Sequence, residues 1–327
     1  MYIASQRFSL WADFIERSFL DNGFKELISR GIINGATSNP AIFKSAILTS
    51  SAYKEQLATL EGLSPKEKYE ALAIFDIQKA ADILRPLYDA GDDGFVSIEV
   101  DPFLCDDTDA TIAEGLRLFQ AIGRPNVMIK VPATPSGYGA MEALASQGIP
   151  VNATLVFSLE QALKCAQAFG RASAKASSVA SAVISVFVSR IDRAIDATLM
   201  SNGVKPSLMG IYNAADIYAQ IEALAIPKCR VLFASTGVKG DELRASYYVD
   251  ELLATNCVNT APIATIEAYA RGGDMTIKLP LSTDIVALHK ELVKGAGVDM
   301  DTVIAHQIQE GLDAFKVAFD EILSSLE

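Results

Sequence analysis

Histidine and cysteine are scarce in this 327-residue chain, and long apolar runs are missing altogether. The two histidines, His289 and His306, stand far apart with no HxxxH-type spacing, so a histidine-held metal is not expected and both read as surface or packing residues. The four cysteines, Cys105, Cys165, Cys229 and Cys257, form no CxxC pair, which removes zinc-ribbon and dithiol redox motifs. No stretch approaches the ~18 consecutive apolar residues of a membrane span. The opening stretch MYIASQRFSLWADFIERS carries no apolar signal core, so a cytoplasmic location with reduced thiols is expected. Glycine-rich phosphate turns are absent too: neither GxxxxGK[ST] nor a GxGxxG after a strand occurs. No cofactor and no metal are expected. Basic residues are outnumbered, 28 against 40 acidic, and the net charge of −12 disfavours nucleic acid and anionic membrane as partners. Half the residues are hydrophobic and 21% are charged, enough apolar material for a large core and too little charge for a disordered chain.

What is present is alternation. Short apolar segments suited to strands lie at Phe8–Asp13, Ile32–Ala36, Phe95–Val100, Val127–Pro132, Pro150–Phe157, Val183–Ser189, Arg230–Ser235 and Cys257–Thr260. Near-continuous apolar runs suit parallel strands covered by helices. Between and after them run helical patterns at Lys66–Tyr88, Asp106–Ile122, Ser158–Ala174, Asp241–Ala254, Pro262–Arg271, Asp284–Lys294 and Thr302–Ser325. Ser158 and Gln161 form a capping box, and Pro86 marks a fraying helix end. No Ser/Gly-rich linker and no repeat divides the chain. Eight β/α alternations predict an α/β fold, a single (β/α)8 TIM-type barrel with additional helices over residues 1–327. A doubly wound sheet is the rival, and the missing glycine-rich turn speaks against it.

Candidate chemistry gathers at strand ends. Lys130 stands in Val127-Met128-Ile129-Lys130-Val131-Pro132, in the middle of an apolar strand. A buried ammonium is costly, and a buried amine is freed as a nucleophile for Schiff-base formation. An ion-paired lysine at a strand end explains the same pattern, and Thr276-Ile277-Lys278-Leu279-Pro280 repeats it, so local hydrophobicity does not select between Lys130 and Lys278. Glu99 and Asp101 follow one another on one strand face, and a carboxylate at a barrel mouth can act as acid or base. For Asp101 a solvated strand end or a helix cap is preferred; Asp13 by itself reads as an ordinary amphipathic residue. Thr37-Ser38-Asn39-Pro40 offers hydroxyls and an amide for a substrate, or simply starts a turn. Asn152 and Thr154 share a face opposite Val151, Ala153 and Leu155, and need either a buried network or a ligand. Arg190 can fork onto a phosphate or pair with Asp192. Ser235, Gly237 and Lys239 follow the seventh strand, where barrels often bind phosphate.

These segments, in this order, resemble the transaldolase family. Gly35-Ala36-Thr37-Ser38-Asn39-Pro40-Ala41-Ile42-Phe43 is similar to its first signature throughout, and Val127 to Leu144 to its second, departing at Tyr138 where an aliphatic residue is usual. Further similar segments are Ser97-x-Glu99-Val100-Asp101, Asn152-x-Thr154-Leu155-x-Phe157-Ser158 and Ser185-x-Phe187-Val188-x-Arg190. The resemblance runs from Asp13 to about Asn259 and is loose beyond. It implies a Schiff-base barrel that moves a dihydroxyacetone unit between sugar phosphates, from donors such as sedoheptulose 7-phosphate or fructose 6-phosphate to acceptors such as erythrose 4-phosphate or glyceraldehyde 3-phosphate. It implies Lys130 as nucleophile, Asp13 as general acid/base, and Glu99 and Thr154 as holders of a proton-shuttling water. Asn39, Asn152 and Ser185, with Thr37 beside them, would bind the dihydroxyacetone hydroxyls. Phe187 fits the transferase pattern; Arg190 and Ser235 would bind phosphate. Gly237 falls where some members carry a phosphate-binding arginine, so Lys239 would supply the cation as a point charge. The rivals are a fructose 6-phosphate-type aldolase on the same barrel and a catalytically silent barrel that binds sugar phosphates. The expected partners are small-molecule sugar phosphates, with the chain a monomer or homodimer.

Overall fold

A computed structural model describes residues 1–327. Eight parallel strands close into a barrel in chain order: β1 Ser9–Ala12, β2 Gly35–Thr37, β3 Phe95–Glu99, β4 Val127–Pro132, β5 Val151–Val156, β6 Ala182–Phe187, β7 Cys229–Ala234 and β8 Val258–Ala261. The (β/α)8 barrel is therefore observed, and every strand lies within a residue or two of its expected segment except β2. There Ile32 and Ile33 form a buried approach, and the ladder begins at Gly35. Trp11 explains that start: its indole lies across β2, so that a Cβ at Gly35 would sit 2.5 Å from the ring.

The interior below the mouth is filled by Trp11, Phe95, Met128, Val183, Leu232 and Val258, one layer beneath the polar residues. The barrel is a packed core, not a pore. Outward-facing residues such as Ile98, Ile129, Val131, Val151, Ala153 and Ile184 join the larger core beneath the helices. Alternation fails at one expected place. Alternation puts Leu155 with Val151 and Ala153, but β5 shifts register against β6 between Ala153 and Val156, and Leu155 takes a left-handed φ of 57°. It turns into the inner apolar group with Phe157 and Phe187.

The helices follow their capping signals. Pro65–Asp89 starts at a Ser64/Glu67 capping box and retains Pro86 in its last turn; Leu159–Lys175 starts at the Ser158/Gln161 box; Thr108–Ile122 starts at Asp107 and stops at left-handed Gly123. The expected helix Asp241–Ala254 shrinks to Tyr247–Glu251. Asp241 to Ala245 buries no side chain and so gains nothing from docking, whereas Leu252, Leu253 and Ala254 are buried beyond the helix end. Helices also occupy stretches without an expected element, among them Pro40–Thr49, Pro135–Ser146, Ser189–Ser201 and Met209–Ala223. The C-terminal helix, Met300–Ser325, packs against Pro40–Thr49, Pro65–Asp89, Ser189–Ser201 and the end of β5. It thereby roofs the C-terminal end of the barrel. No helix is long and apolar enough to cross a membrane.

Candidate active site

Register brings the chemistry together. Glu99 of β3 is paired with Lys130 of β4, Lys130 with Asn152 of β5, and Pro132 with Thr154. Four residues from three segments thus stand side by side at the barrel mouth. Lys130 is 5% exposed; its Nζ donates to the carbonyl oxygen of Ser38 at 3.1 Å and lies 3.8 Å from Glu99 Oε2. Ser38 is held by its own hydroxyl, which donates to the Ser97 carbonyl at 2.8 Å. Burial pushes the Glu99 carboxyl up to about 7, against the pull of the Lys130 ammonium and with the push of Asp13. Glu99 Oε2 makes no hydrogen bond, and Thr154 Oγ1 has no protein partner.

Asp13 follows β1 directly, and its backbone NH donates to the Ala261 carbonyl at 2.9 Å. Burial raises the Asp13 pKa, while Lys130 and a hydrogen bond from Thr37 act the other way. The Thr37 Oγ1–Asp13 Oδ1 distance is 2.7 Å, and Thr37 Oγ1 is also 2.7 Å from Thr260 Oγ1. The Thr37 hydroxyl is thus already bonded on two sides.

A cavity of about 190 Å³ opens above these groups. It is lined by the polar Asp13, Thr37, Asn39, Lys130, Thr154, Ser185, Arg190, Ser235 and Thr260 and by the apolar Ala41, Phe187, Ala234, Ala314 and Phe315. Asn39 caps the Pro40–Thr49 helix by accepting from the Ile42 NH at 3.0 Å. Asn152 is fully buried just behind the wall; its Nδ2 donates to Ser97 Oγ at 3.1 Å and its Oδ1 accepts from Ser185 Oγ at 2.6 Å. Arg190 forms no ion pair and stacks over the Phe187 ring at 5.3 Å. Asp192, its alternative partner, instead accepts from the Gly210 NH and the Tyr248 hydroxyl. Burial, and then the like charge of Arg193, pull the Arg190 guanidinium down, with Glu310 opposing. A half-buried guanidinium without a protein counter-ion is suited to an anion. Ser235 has a left-handed φ of 55° and lies 3.1 Å by Oγ from Ser189 Oγ.

One expectation meets a different placement. Lys239 is exposed and does not line the cavity. The seven-eight turn lifts it outward, so Arg190 is the cation of this wall. A Cβ on Gly237 would press on the Pro262 ring at 3.0 Å, which accounts for a glycine there. Lys278 lies outside the barrel, half-exposed and 2.7 Å from Asp274, so tertiary placement separates it from Lys130. Asp101 caps the following turn by accepting from the Phe103 NH and pairs with Lys66. His289 is buried against Tyr212, His306 is exposed, and no group of three His, Cys, Asp or Glu side chains is arranged to hold a metal ion. Sequence reasoning missed Thr260, Ala314 and Phe315. Thr260 carried a signal, as a polar residue closing an apolar strand much as Thr154 does. Ala314 and Phe315 carried none, because helix docking alone brings them to the mouth.

Comparison with known proteins gives the same family. The model of the transaldolase/fructose-6-phosphate aldolase family matches residues 10–326, which includes the C-terminal helix where sequence resemblance was loose. A transaldolase of Campylobacter jejuni is 46% identical over 330 aligned positions, covering 98% of this chain and all of that protein. A transaldolase of Helicobacter pylori is 47% identical over 322 positions, covering 98% of this chain and 99% of its own length. The match holds along the whole barrel and its roof, and this chain belongs to the transaldolase/fructose-6-phosphate aldolase family.

Proposed function

We propose that this chain is a transaldolase that carries a dihydroxyacetone unit on Lys130 from a ketose phosphate to an aldose phosphate. The observation that carries the reading is Lys130, a buried strand lysine against Glu99, facing a polar cavity that also holds Asp13 and an unpaired arginine. The Lys130 amine attacks the C2 ketone of the donor, and loss of water gives a protonated imine. Glu99, whose pKa near 7 lets it exchange protons at neutral pH, and Thr154 handle the water and its protons. Asp13 then takes the C4 hydroxyl proton. The C3–C4 bond breaks, its electrons enter the iminium to form an enamine, and the aldose phosphate leaves. The enamine adds to a second aldehyde, Asp13 returns its proton to the new hydroxyl, and water releases the product.

Asn39, Asn152 and Ser185 hold the three-carbon hydroxyls, and Thr37 orients Asp13. Phe187 and Phe315 form the apolar wall that keeps water from the enamine. Arg190 and Ser235 take the phosphate. With a net charge of −12 the long-range field does not attract such substrates, so capture is local. The imine supplies the electron sink, which leaves no step that calls for a cofactor. We read residues 1–327 as one catalytic domain acting on sugar phosphates alone in the cytoplasm, in keeping with four free, buried cysteines, as a monomer or homodimer.

Borohydride trapping with fructose 6-phosphate tests the reading. The expected product is a three-carbon adduct on Lys130, lost in Lys130→Ala and retained in Lys278→Ala. Erythrose 4-phosphate added before reduction should discharge it; a fragment released equally fast without any acceptor would instead mark an aldolase.

A further inference from the structure

Thr260 has no part in the chemistry above, yet it is 3% exposed, lines the cavity and touches the group that holds Asp13. The hydroxyl protons can be counted. Thr37 has one. When Asp13 is ionised, that proton lies on the 2.7 Å line to Oδ1, and the Thr37 oxygen then accepts from Thr260. When Asp13 takes the substrate proton it takes it on Oδ2, the oxygen that Thr37 leaves free, and Oδ1 goes on accepting from Thr37. The Trp11 carbonyl oxygen, a longer contact of 3.4 Å, is the second acceptor within reach of the Thr260 hydroxyl. Each protonation state of Asp13 thus keeps the same chain of donors and acceptors without movement of a heavy atom.

We propose that Thr260 is a positioning residue whose hydroxyl, with that of Thr37, forms a relay that donates into Asp13 Oδ1 and holds that carboxyl in one orientation as base in cleavage and as acid in addition. The proposal rests on the Schiff-base reading. Transfer needs both roles from one side chain: the proton taken from the C4 hydroxyl in cleavage is the proton returned to the acceptor oxygen in addition. A carboxyl that swung between the two states would lose its alignment with the reacting oxygen. β2 and β8 place only hydroxyls against Asp13. The charged groups facing it are Lys130 from β4 and Glu99 from β3, with Arg190 also lining the cavity; the C-terminal helix contributes Ala314 and Phe315. The chain ends on a charge when Asp13 is ionised and is stronger then than when Asp13 is protonated.

The test uses Thr260→Val, which keeps the shape and removes the hydroxyl, and Thr260→Ser, which keeps the hydroxyl. Both leave Lys130, Glu99 and Arg190 in place. The expected result for the valine variant is an acid limb of kcat/KM with fructose 6-phosphate and erythrose 4-phosphate moved up by about half to one pH unit, with serine restoring the wild-type limb. Borohydride trapping of dihydroxyacetone, which has no C3–C4 bond to break, should be equal in wild type and valine variant. A valine limb that superimposes on wild type, or a loss that serine does not restore, overturns the relay and leaves the Schiff-base reading standing. Loss of dihydroxyacetone trapping in a folded valine variant overturns it as well, since Thr260 would then act on Lys130. Absence of any adduct in wild type overturns the relay and the Schiff-base reading together.

Discussion

At the scale of the residue, a few buried polar groups carry the chemistry, and they do so at a cost to stability. Glu99 shows the sign of that cost. Its carboxyl is raised to about 7 by burial, so the folded state holds a proton between the ordinary carboxylate range and neutrality that the unfolded chain has released. The stability associated with Glu99 is therefore greatest in acid and falls as pH rises through that window. Glu99→Gln should abolish this slope and stabilise the protein above neutral pH by up to about 3 kcal/mol. Denaturant unfolding of both proteins at pH 5 and pH 8 checks it: the difference between them should grow with pH. Adduct formation by the variant should be slower, the usual exchange of activity for stability. Most of the candidate residues were legible in the sequence, because a lysine, a carboxylate or an asparagine at the end of an apolar strand needs a partner or a purpose. Lys239 shows where that logic stops: a cation just after a strand points wherever its turn sends it.

At the scale of the element, the two signature segments owe several of their small residues to packing. Gly137 begins the helix after the Lys130 strand, and a Cβ there would sit 2.0 Å from the Pro132 carbonyl oxygen. Backbone cannot yield as a flexible side chain does. Gly137→Ala should therefore cost about 3 kcal/mol, measured as a lowered denaturation midpoint, and should reduce adduct formation by displacing the turn that follows Lys130. A helix with a capping box was readable: Ser158 with Gln161 marks a true start. Asp241–Ala254 was not, because its first five residues bury no side chain and gain too little to wind. The bulge at Leu155 was hidden for a related reason: strand alternation says nothing about where a neighbouring strand forces a register shift.

At the scale of the molecule, the decisive feature is the roof. The C-terminal helix lays Phe315 into the apolar group with Phe157 and Phe187 above the mouth. Phe315→Ala should cost about 3 kcal/mol through the space it leaves. It should also admit water to the bound three-carbon fragment. The expected readout is several-fold faster release of dihydroxyacetone from fructose 6-phosphate without an acceptor, with Lys130 trapping intact. The same closure explains why Arg190 lies half-buried without a counter-ion: the helix passes close over it, and a Cβ on Gly311 would sit 2.9 Å from Leu155 and 3.5 Å from the Arg190 guanidinium.

The sequence by itself determined the alternation of strands and helices, the closed class of barrel, and which face of each strand is polar. These depend on burial periods and caps that act within one segment. Tertiary structure decided which polar ends meet. The register sets Glu99, Lys130 and Asn152 in a row, leaves Lys278 outside the barrel, and brings Thr260 of the last strand against Thr37 of the second. Register and helix docking are properties of the closed whole. Hydrogen bonds between strands and apolar surface buried under a distant helix enforce them, and no local pattern in the chain encodes either.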